Sequence, residues 1–260
     1  MKKKLIIKIG TSTLTAGTNR ISYAKIEDIA RQIVMLKNNY EFILVSSGAI
    51  ATAKQFIEIN GYNKYIDSKQ AMVAIGQPKM MKVYDEIFGS FGLKIAQCLL
   101  TYRDFENITA KTNIKNTIDK LLAYDYIPII NGTAAIEEII LGDNDKLSAL
   151  VAIIIDADLL IIASDIDGLY NQNPHLNKNA KFIKEVKNLK QVKFFIKEKK
   201  TTLGTGGMTS KIQAVEICRQ KNIEVWIVNG RKNNFIIDAM QNKIPFTKFK
   251  TKKNKKFKTF

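Results

Sequence analysis

The sequence predicts an α/β fold in which helices cover both faces of a mainly parallel sheet. Short apolar runs of strand length alternate with longer amphipathic stretches along the 260 residues, as in chains built from β-α-β units. Runs such as Phe42–Val45 and Leu159–Ala163 are almost continuously apolar, which is typical of strands buried on both sides. One domain is the simplest interpretation, with two lobes that meet near Ser164.

The predicted strands are short, and most of them run directly into small or polar residues. They are Leu5–Ile9, Phe42–Val45, Ile95–Leu100, Ile127–Ile130, Leu159–Ala163 and Glu224–Val228. The predicted helices are Ile21–Asn38, Ser68–Phe88, Thr112–Ala123, Leu147–Ile155, Gly207–Lys221 and Asn234–Met240. In the first helix, Ile26, Ile29 and Ile33 recur at helical spacing and predict one buried face. Pro78 predicts a break or kink in the second, because proline removes a backbone hydrogen bond.

The rare residue types exclude several classes of site. Cys98 and Cys218 are far apart in the sequence, which favours buried thiols in a reducing cytoplasm over a disulfide or a zinc site. His175 is the single histidine, so a Ser-His-Asp triad or a multi-histidine metal centre is hard to build. The apolar run after the N-terminal lysines is too short for a signal peptide, and residues 150–163 include two aspartates, so we expect no membrane span.

The net charge of +17 is compatible with nucleic-acid binding, but the residue types argue against it. Only five of the 41 basic residues are arginines, whereas surfaces that clamp phosphates or read bases rely on the bidentate guanidinium. Much of the excess lies in a Lys-rich tail at 246–260, which has seven lysines and no acid from Lys248 onward. We expect a solvated, mobile terminus there, with contact to RNA or a membrane surface as the alternative.

The turns after the first two strands have the features of anion-binding sites. Lys8 is followed by Gly10-Thr11-Ser12, a tight turn whose N–H groups and hydroxyls can cradle a phosphate. Ser46-Ser47-Gly48-Ala49 opens a helix, whose N-terminus also favours a carboxylate or phosphate. The alternatives are an ordinary turn in the first case and plain N-capping by serine in the second.

The segment Gly204–Lys211 is the strongest local signal. It reads GTGGMTSK and precedes a helix, so its glycines let the backbone approach a polyphosphate and Lys211 adds a positive charge one turn into the helix. We expect Thr209 or Ser210 to cap that helix. A flexible turn into a helix is the alternative, and the spacing matches neither Walker A nor GxGxxG.

Two acidic segments complete the set. In Gly142–Lys146, one carboxylate can orient the lysines while Asn144 holds a polar substrate; simple helix capping is the alternative. Ser164–Gly168 begins like a calcium-binding loop, but Leu176 stands where that loop needs a bidentate Glu, so calcium is excluded. A loop that contacts ribose or adenine fits the segment better. Two lysines, glycine-rich turns and an aspartate, with no histidine base and no metal cage, predict phosphoryl transfer, which depends on positioning and charge neutralisation.

Together these motifs resemble those of the glutamate 5-kinases, within the amino acid kinase family. The similar segments are Lys8–Ser12, Ser46–Ile50, Gly142–Asp145 and Gly204–Lys211, with further matches at Ser68–Gln70, Gly76-Gln77, Leu99–Thr101 and Ser164–Tyr170. They occur in family order over nearly the whole chain. The resemblance implies a three-layer αβα sandwich in a single kinase domain over 1–245, with an acceptor-substrate lobe to about residue 163 and an ATP lobe after it.

The resemblance also implies a reaction: phosphorylation of the side-chain carboxylate of L-glutamate by ATP with Mg²⁺, the first step of proline biosynthesis. The implied catalytic residues are Lys8, Lys211 and Asp145, and the implied substrate-binding residues are Ser47, Gly48, Asn131 and Asn144. The implied ATP-binding residues are Lys8, Gly10, Ser164, Asp165, Thr205, Gly206, Gly207, Met208, Thr209, Ser210 and Lys211.

The chain departs from the family pattern in two places. After Ile130 the family has an Asn-Glu-Asn-Asp run whose last residue contacts glutamate, whereas this chain has Asn131–Ala134 in a loop two residues shorter. Glu137 or Glu138 is a candidate replacement for the missing carboxylate. The chain also ends too early for the PUA domain that many family members carry, so we expect none.

Two alternatives therefore stay open beside the glutamate kinase. One is a kinase of the same fold for another small acid or phosphate, such as carbamate or a nucleoside monophosphate. The other is a non-catalytic descendant that binds a ligand or RNA. The resemblance further implies a cytoplasmic homo-oligomer with glutamyl-phosphate reductase as a possible partner, and we expect neither a membrane nor a nucleic acid as partner.

Overall fold

The structure is a computed structural model that describes residues 2–58, 65–132, 144–172, 177, 179–189, 192 and 207–251. In this part of the chain, eight strands form one sheet in the order β3-β4-β2-β1-β5-β9-β10-β8. They are β1 (Lys3–Ile9), β2 (Tyr40–Ser46), β3 (Lys94–Leu100), β4 (Tyr126–Gly132), β5 (Leu159–Ser164), β8 (Glu185–Val186), β9 (Glu224–Asn229) and β10 (Phe246–Phe249). Two more, β6 (Leu169–Tyr170) and β7 (Phe182–Ile183), form a separate antiparallel ribbon.

The eight-stranded sheet is parallel from β3 to β9, and β10 then pairs antiparallel with β9 and parallel with β8. The helices that cover it are α1 (Thr11–Leu14), α2 (Tyr23–Leu36), α3 (Ala49–Ala53), α4 (Ile66–Ser90), α5 (Ile108–Ala123), α6 (Asn144–Ile154), α7 (Met208–Arg219) and α8 (Phe235–Met240). A short 3₁₀ helix spans Tyr102–Phe105. The predicted mainly parallel sheet between helical layers is confirmed.

Neighbouring residues of β1 face two different hydrophobic cores. Leu5, Ile7 and Ile9 lie in a core with α2, α4 and α8, whereas Ile6 lies in a core with α5, α6 and α7. Side chains alternate between the two faces of a strand, so Lys8 shares the face of Ile6. The fold therefore directs the Lys8 ammonium towards α6 and α7.

The predicted break near Pro78 is absent, because α4 continues through that residue to Ser90. One side of this helix is buried on both sides of the proline, at Met72 and Met80 among others, and Phe88 is fully buried. Most of the stability of a helix in a protein comes from packing of its apolar face. Burial along the helix thus outweighs the cost of the one backbone hydrogen bond that Pro78 cannot form.

The structure also corrects where the Lys-rich tail begins. Phe246–Phe249 form β10, and both Thr247 and Phe249 are buried. The Thr247 hydroxyl accepts a hydrogen bond from Leu169 N at 2.7 Å and donates one to Ile183 O at 2.6 Å. Phe246, Thr247 and Phe249 are buried and Lys248 is partly exposed, so this segment belongs to the sheet and the tail starts later than residue 246.

Candidate active site

The carboxyl ends of four central strands meet along one edge of the sheet. Ile9 at the end of β1 lies opposite Ser46 of β2 and Ala163 of β5, and Val45 of β2 lies opposite Ile130 of β4. Ligands of open α/β sheets bind beyond the carboxyl ends of the strands. The turns that the sequence singled out after these strands are thus brought together where a ligand is expected.

Three charged residues form a buried group at this edge, which we call the lysine–aspartate triad (Lys8, Asp145 and Lys211). Lys8 Nζ lies 2.7 Å from Asp145 Oδ1, and Lys211 Nζ lies 3.2 Å from Asp145 Oδ2. Asp145 has no exposed surface, and each lysine is only 7% exposed. β1, α6 and α7 each contribute one member, so the triad exists only in the folded chain.

The electrostatics of the triad favour an anionic ligand. Burial alone raises the pKa of Asp145, but the charges of Lys8 and Lys211, with hydrogen bonds from Lys8 and Ser210, outweigh it and lower that pKa below its ordinary value. Asp145 is therefore a carboxylate at neutral pH, facing two ammonium groups. Two buried positive charges share one negative charge, and an excess charge in a poorly solvated site is stabilised by an incoming anion such as a phosphate.

The start of α7 differs from the sequence-based expectation. Gly207 is its N-cap and makes no side-chain capping bond, so the predicted capping by Thr209 or Ser210 is wrong. Ser210 Oγ instead donates to Asp145 Oδ2 at 2.7 Å and to Gly207 O at 2.9 Å. The Ser210 hydroxyl thus binds a buried carboxylate of another helix, and a local sequence pattern does not reveal such a long-range contact.

Polar residues beside the triad form a second group, which we call the acceptor cluster (Ser47, Asn131 and Asn144). Asn144 Nδ2 donates to Ser47 Oγ at 2.9 Å and to Asn131 Oδ1 at 3.1 Å, and it also lies 3.2 Å from Ser46 O. Asn144 directly precedes Asp145 of the triad, so the two groups are adjacent. All three residues were singled out from the sequence as substrate-binding candidates.

The long helix α4 supports the acceptor cluster through residues that sequence reasoning left without a role. Tyr84 is fully buried, and its hydroxyl lies 2.9 Å from Ser46 Oγ. Gln77 Oε1 accepts a hydrogen bond from Asn131 Nδ2 at 2.7 Å. A Cβ on Gly76 would lie 1.8 Å from Ala49 O, so only glycine lets α4 approach α3 this closely. The Gly76-Gln77 pair was visible in the sequence as a motif, but its place beside Asn131 was not.

Gly10 and Gly48 shape the two anion-binding turns. Gly48 has φ +109°, a backbone conformation that L side chains rarely adopt, so the turn before α3 needs glycine. A Cβ there would also lie 2.9 Å from Leu14 Cδ1, and the Leu14 side chain would have to shift. Gly10 precedes α1, and a Cβ on it would lie 3.5 Å from Lys8 Nζ. Glycine at position 10 therefore keeps the space next to the Lys8 ammonium open.

The loop after β5 is held by its neighbours. Ser164 O accepts a hydrogen bond from Gly230 N at 2.8 Å, and Ser164 Oγ lies 3.3 Å from Asp165 Oδ1. Asp167 is bound by Asn229 Nδ2 at 3.0 Å and by Lys232 Nζ at 2.6 Å. These contacts place the predicted nucleotide residues Ser164 and Asp165 at the same sheet edge as the triad.

Some of the predicted site residues lie outside the described part of the chain. They are Thr205 and Gly206, together with the shortened loop from Thr133 onward and its candidates Glu137 and Glu138. Of the described ATP candidates in the glycine-rich segment, Gly207 and Met208 are partly buried, Thr209 is exposed and Ser210 is buried. Within the described residues, no group of three or more His, Cys, Asp or Glu could hold a metal ion, and no described helix is long and apolar enough to cross a membrane.

Comparison with known proteins gives a family and several relatives. The model of the amino acid kinase family matches residues 3–229. The chain is 44% identical to a glutamate 5-kinase of Clostridium acetobutylicum over 237 residues, which cover 90% of this chain and 89% of that protein. It is 39% identical to a glutamate 5-kinase of Vibrio campbellii over 249 residues, 94% of this chain. It spans 66% of the length of that longer relative, slightly less than two thirds.

A solved structure is similar in fold. The crystal structure of UMP kinase from Ureaplasma parvum matches with a TM-score of 0.62, covering 96% of this chain and 100% of that one. The sequence identity is 18%, so the likeness concerns the arrangement of strands and helices alone.

Proposed function

The chain belongs to the amino acid kinase family, and we propose that it transfers the γ-phosphoryl group of ATP to the side-chain carboxylate of L-glutamate. The observation that carries the proposal is the buried lysine–aspartate triad next to the acceptor cluster. The lysine–aspartate triad is suited to the phosphates of a nucleotide, and the acceptor cluster is suited to a small polar acceptor. The glutamate 5-kinases that are 36–44% identical to it supply the choice of substrate.

In the proposed reaction, a carboxylate oxygen of glutamate forms a bond to the γ-phosphorus while the bond to the bridging β,γ-oxygen breaks. The electron pair leaves with ADP, and the product is glutamyl 5-phosphate. A glutamate carboxyl has an ordinary pKa of about 4.3, so it is already ionised at neutral pH and needs no general base. This agrees with a site built of lysines, amides and backbone N–H groups.

Lys8 and Lys211 neutralise the negative charge of the transferring group, and Asp145 holds the two ammonium groups in place. Such positioning and charge neutralisation account for most of the rate enhancement in phosphoryl transfer. Magnesium bound to the nucleotide supplies further positive charge to the phosphate oxygens. We propose that the phosphates themselves hold this ion, with water completing its coordination.

For ATP, the proposed contacts are the residues named from the sequence at three places. They are Lys8 and Gly10 after β1, Ser164 and Asp165 after β5, and Thr205, Gly206, Gly207, Met208, Thr209, Ser210 and Lys211 before and in α7. Ser210 acts at least in part through Asp145, because its hydroxyl donates to that carboxylate. For glutamate, the proposed contacts are the acceptor cluster and Gly48.

The shortened loop after Asn131 supports a second candidate function. Family members place an aspartate there against the acceptor, and a lost charge-assisted contact costs about 1.5–3 kcal/mol, or about 10–150-fold in affinity. A kinase of the same fold for another small acid is therefore the runner-up. A panel of acceptors, including carbamate and nucleoside monophosphates, separates the two candidates.

The proposal extends to the surroundings of the enzyme. An acyl phosphate hydrolyses readily, so a glutamyl-phosphate reductase is the proposed consumer of the product. A homo-oligomer in the cytoplasm is the proposed working form. Sedimentation equilibrium of the purified chain tests the oligomeric part.

A hydroxamate assay tests the reaction. The purified chain is incubated with ATP, magnesium, L-glutamate and hydroxylamine, which traps an acyl phosphate as a coloured hydroxamate. We expect colour that depends on glutamate and is lost in Lys211→Ala. Lys82→Ala is the matched control, because the Lys82 side chain is 76% exposed on α4. Folded protein that binds ATP but gives no colour at saturating glutamate would rule out the glutamate assignment.

A further inference from the structure

Gln77 of α4 has a buried side-chain amide whose oxygen is hydrogen-bonded and whose nitrogen is not. The side chain is 7% exposed. Its Oε1 accepts a hydrogen bond from Asn131 Nδ2 at 2.7 Å, whereas its Nε2 is buried and has no hydrogen-bond partner among the residues that the structure describes. A buried polar group without a partner costs about 1–3 kcal/mol, and such groups are rare in folded proteins. The buried Nε2 group of Gln77 therefore needs a hydrogen-bond acceptor.

The orientation of the Gln77 amide follows from its neighbours. Asn131 Oδ1 receives hydrogen bonds from Gly132 N at 2.9 Å and from Asn144 Nδ2 at 3.1 Å. Both donors require the oxygen of Asn131 at that position, which leaves its Nδ2 as the group that faces Gln77. Because Asn131 Nδ2 is a donor, the Gln77 atom that faces it must be the acceptor Oε1. The Gln77 Nε2 therefore points away from Asn131 and makes no hydrogen bond to it.

The position of Gln77 indicates which part of a substrate it would meet. A continuous series of contacts leads from Asp145 to the adjacent Asn144, from there to Asn131, and from Asn131 to Gln77. Counted in contacts from Asp145, Gln77 is the last member of this series. An acceptor molecule with its reacting carboxylate near the triad therefore presents its non-reacting end to Gln77.

We infer that Gln77 is a substrate-binding residue whose Nε2 donates a hydrogen bond to the non-reacting α-carboxylate of the amino acid acceptor. This inference rests on the proposed function and adds a specificity determinant to it. An amide N–H paired with a carboxylate is a charge-assisted hydrogen bond, which is stronger than a neutral one. Binding of the acceptor would thus satisfy the buried donor and select for an acid with a second carboxylate.

Two substitutions at the same position separate binding from positioning. Gln77→Glu keeps an oxygen for Asn131 Nδ2 but replaces the donor with a negatively charged oxygen. Gln77→Met removes both polar ends and keeps the length of the side chain. We measure KM and kcat for glutamate, and KM for ATP, in the hydroxamate assay at about pH 8, where the introduced carboxyl is ionised.

If Nε2 binds the substrate, the KM for glutamate rises in both variants and rises more in Gln77→Glu. We expect about 10-fold for Gln77→Met, from the loss of a hydrogen bond to a charged group. We expect about 100-fold for Gln77→Glu, because two like charges then face each other. The KM for ATP stays within about 2-fold of the unchanged chain, since Gln77 lies on the acceptor side.

The opposite order overturns the inference. If Gln77 only positions Asn131, Gln77→Glu keeps the required oxygen and behaves like the unchanged chain, while Gln77→Met alone is impaired. Gln241→Met is the matched control, because Gln241 Oε1 is also buried and has no partner in the described part of the chain. Gln241 follows α8, away from the acceptor cluster. Absence of glutamate-dependent colour in the unchanged chain would instead be a failure of the proposed function, which this design detects separately.

Discussion

Two buried groups of charged side chains lie on opposite faces of the sheet, and they use their charges differently. The lysine–aspartate triad lies on the face of α6 and α7. On the other face, Lys25, Asp28 and Gln32 of α2 form what we call the α2 cluster. All three of its members are buried, with Lys25 only 3% exposed. The two groups contain the same kinds of residue but differ in where their hydrogen bonds go.

The α2 cluster is saturated by the protein itself. Lys25 Nζ lies 3.5 Å from Asp28 Oδ2 and donates to the backbone oxygens of Arg231 and Lys232 at 3.2 and 3.0 Å. Asp28 accepts from Asn234 N at 3.2 Å. The hydrogen-bonding groups of the cluster are thus taken up by the loop at 231–234, and the cluster holds that loop against α2.

In contrast, the triad lies at the carboxyl ends of the strands, where the turns after β1, β2 and β5 supply small residues and backbone N–H groups. Its lysines converge on one carboxylate from different elements. A buried charge cluster at this end of a parallel sheet therefore indicates chemistry, because ligands of open α/β sheets bind there. Where segments of the chain take up the hydrogen bonds of such a cluster, as in the α2 cluster, the charged residues stabilise the fold.

Substitution of a triad lysine has the largest expected effect on activity. We expect Lys8→Met to lower kcat by about 10³-fold or more, because a cation on the transferring phosphoryl group is lost. The free energy of unfolding should fall by less than the roughly 3–5 kcal/mol that follows when a buried charge loses its sole partner, because Asp145 keeps Lys211 as an ion-pair partner. Hydroxamate rates and urea unfolding measure the two quantities. If the loss of stability accounts for the whole loss of activity, the triad stabilises the fold and has no role in the reaction.

Substitution in the α2 cluster should do the reverse. We expect Asp28→Ala to lower the free energy of unfolding by about 3–5 kcal/mol, since a buried Lys25 then loses its carboxylate partner. The kcat of the fraction that stays folded should remain within about 3-fold, because the cluster lies on the other face of the sheet. Urea unfolding and single-temperature kinetics check both. A large decrease in kcat in fully folded protein would show that the loop at 231–234, which Lys25 and Asp28 bind, takes part in the reaction.

The pH dependence of stability reports on the triad directly. The folded-state pKa of Asp145 is lowered by Lys8 and Lys211 despite burial. Its stabilising contribution is therefore present above the unfolded-state pKa of about 3.9 and is lost as pH falls through the lower folded-state value. We expect the difference in unfolding free energy between the unchanged chain and Asp145→Asn to be constant from about pH 5 to 7 and to shrink below about pH 4. A difference that already shrinks above pH 5 would contradict a lowered pKa.

The smallest expected effect concerns the hydroxyl that supports the triad carboxylate. Ser210→Ala removes the 2.7 Å hydrogen bond to Asp145 Oδ2 but leaves both lysines in place. We expect a loss of about 1 kcal/mol in unfolding free energy and about a 5-fold lower kcat. Gln213→Ala is the control, because Gln213 is exposed on the same helix and belongs to neither proposed binding site. Equal kinetic effects of the two substitutions would indicate that any change in α7 lowers kcat and that the Asp145 contact is not responsible.

Much of the fold follows from patterns that are local in the sequence. Leu5–Ile9 is almost continuously apolar because β1 is buried on both faces of the sheet. The helical spacing in Ile21–Asn38 is set by the one face that the helix buries, so both elements could be predicted. Pro78 and Phe246–Phe249 could not, because in both cases a contact with a distant part of the chain outweighs the local signal. α4 is held by its buried face, and β10 by its pairing with β9.

The sequence by itself determined the class of fold, and its resemblance to the amino acid kinase family named Lys8, Asp145 and Lys211 as predicted site residues. Only the tertiary structure decided that Asp145 lies between the two lysines, that Ser210 serves this carboxylate and that Gln77 meets Asn131. The residues of each of these contacts lie more than 50 positions apart in the chain. Their partners are set by how helices pack on the sheet, and no periodicity in the sequence records that packing.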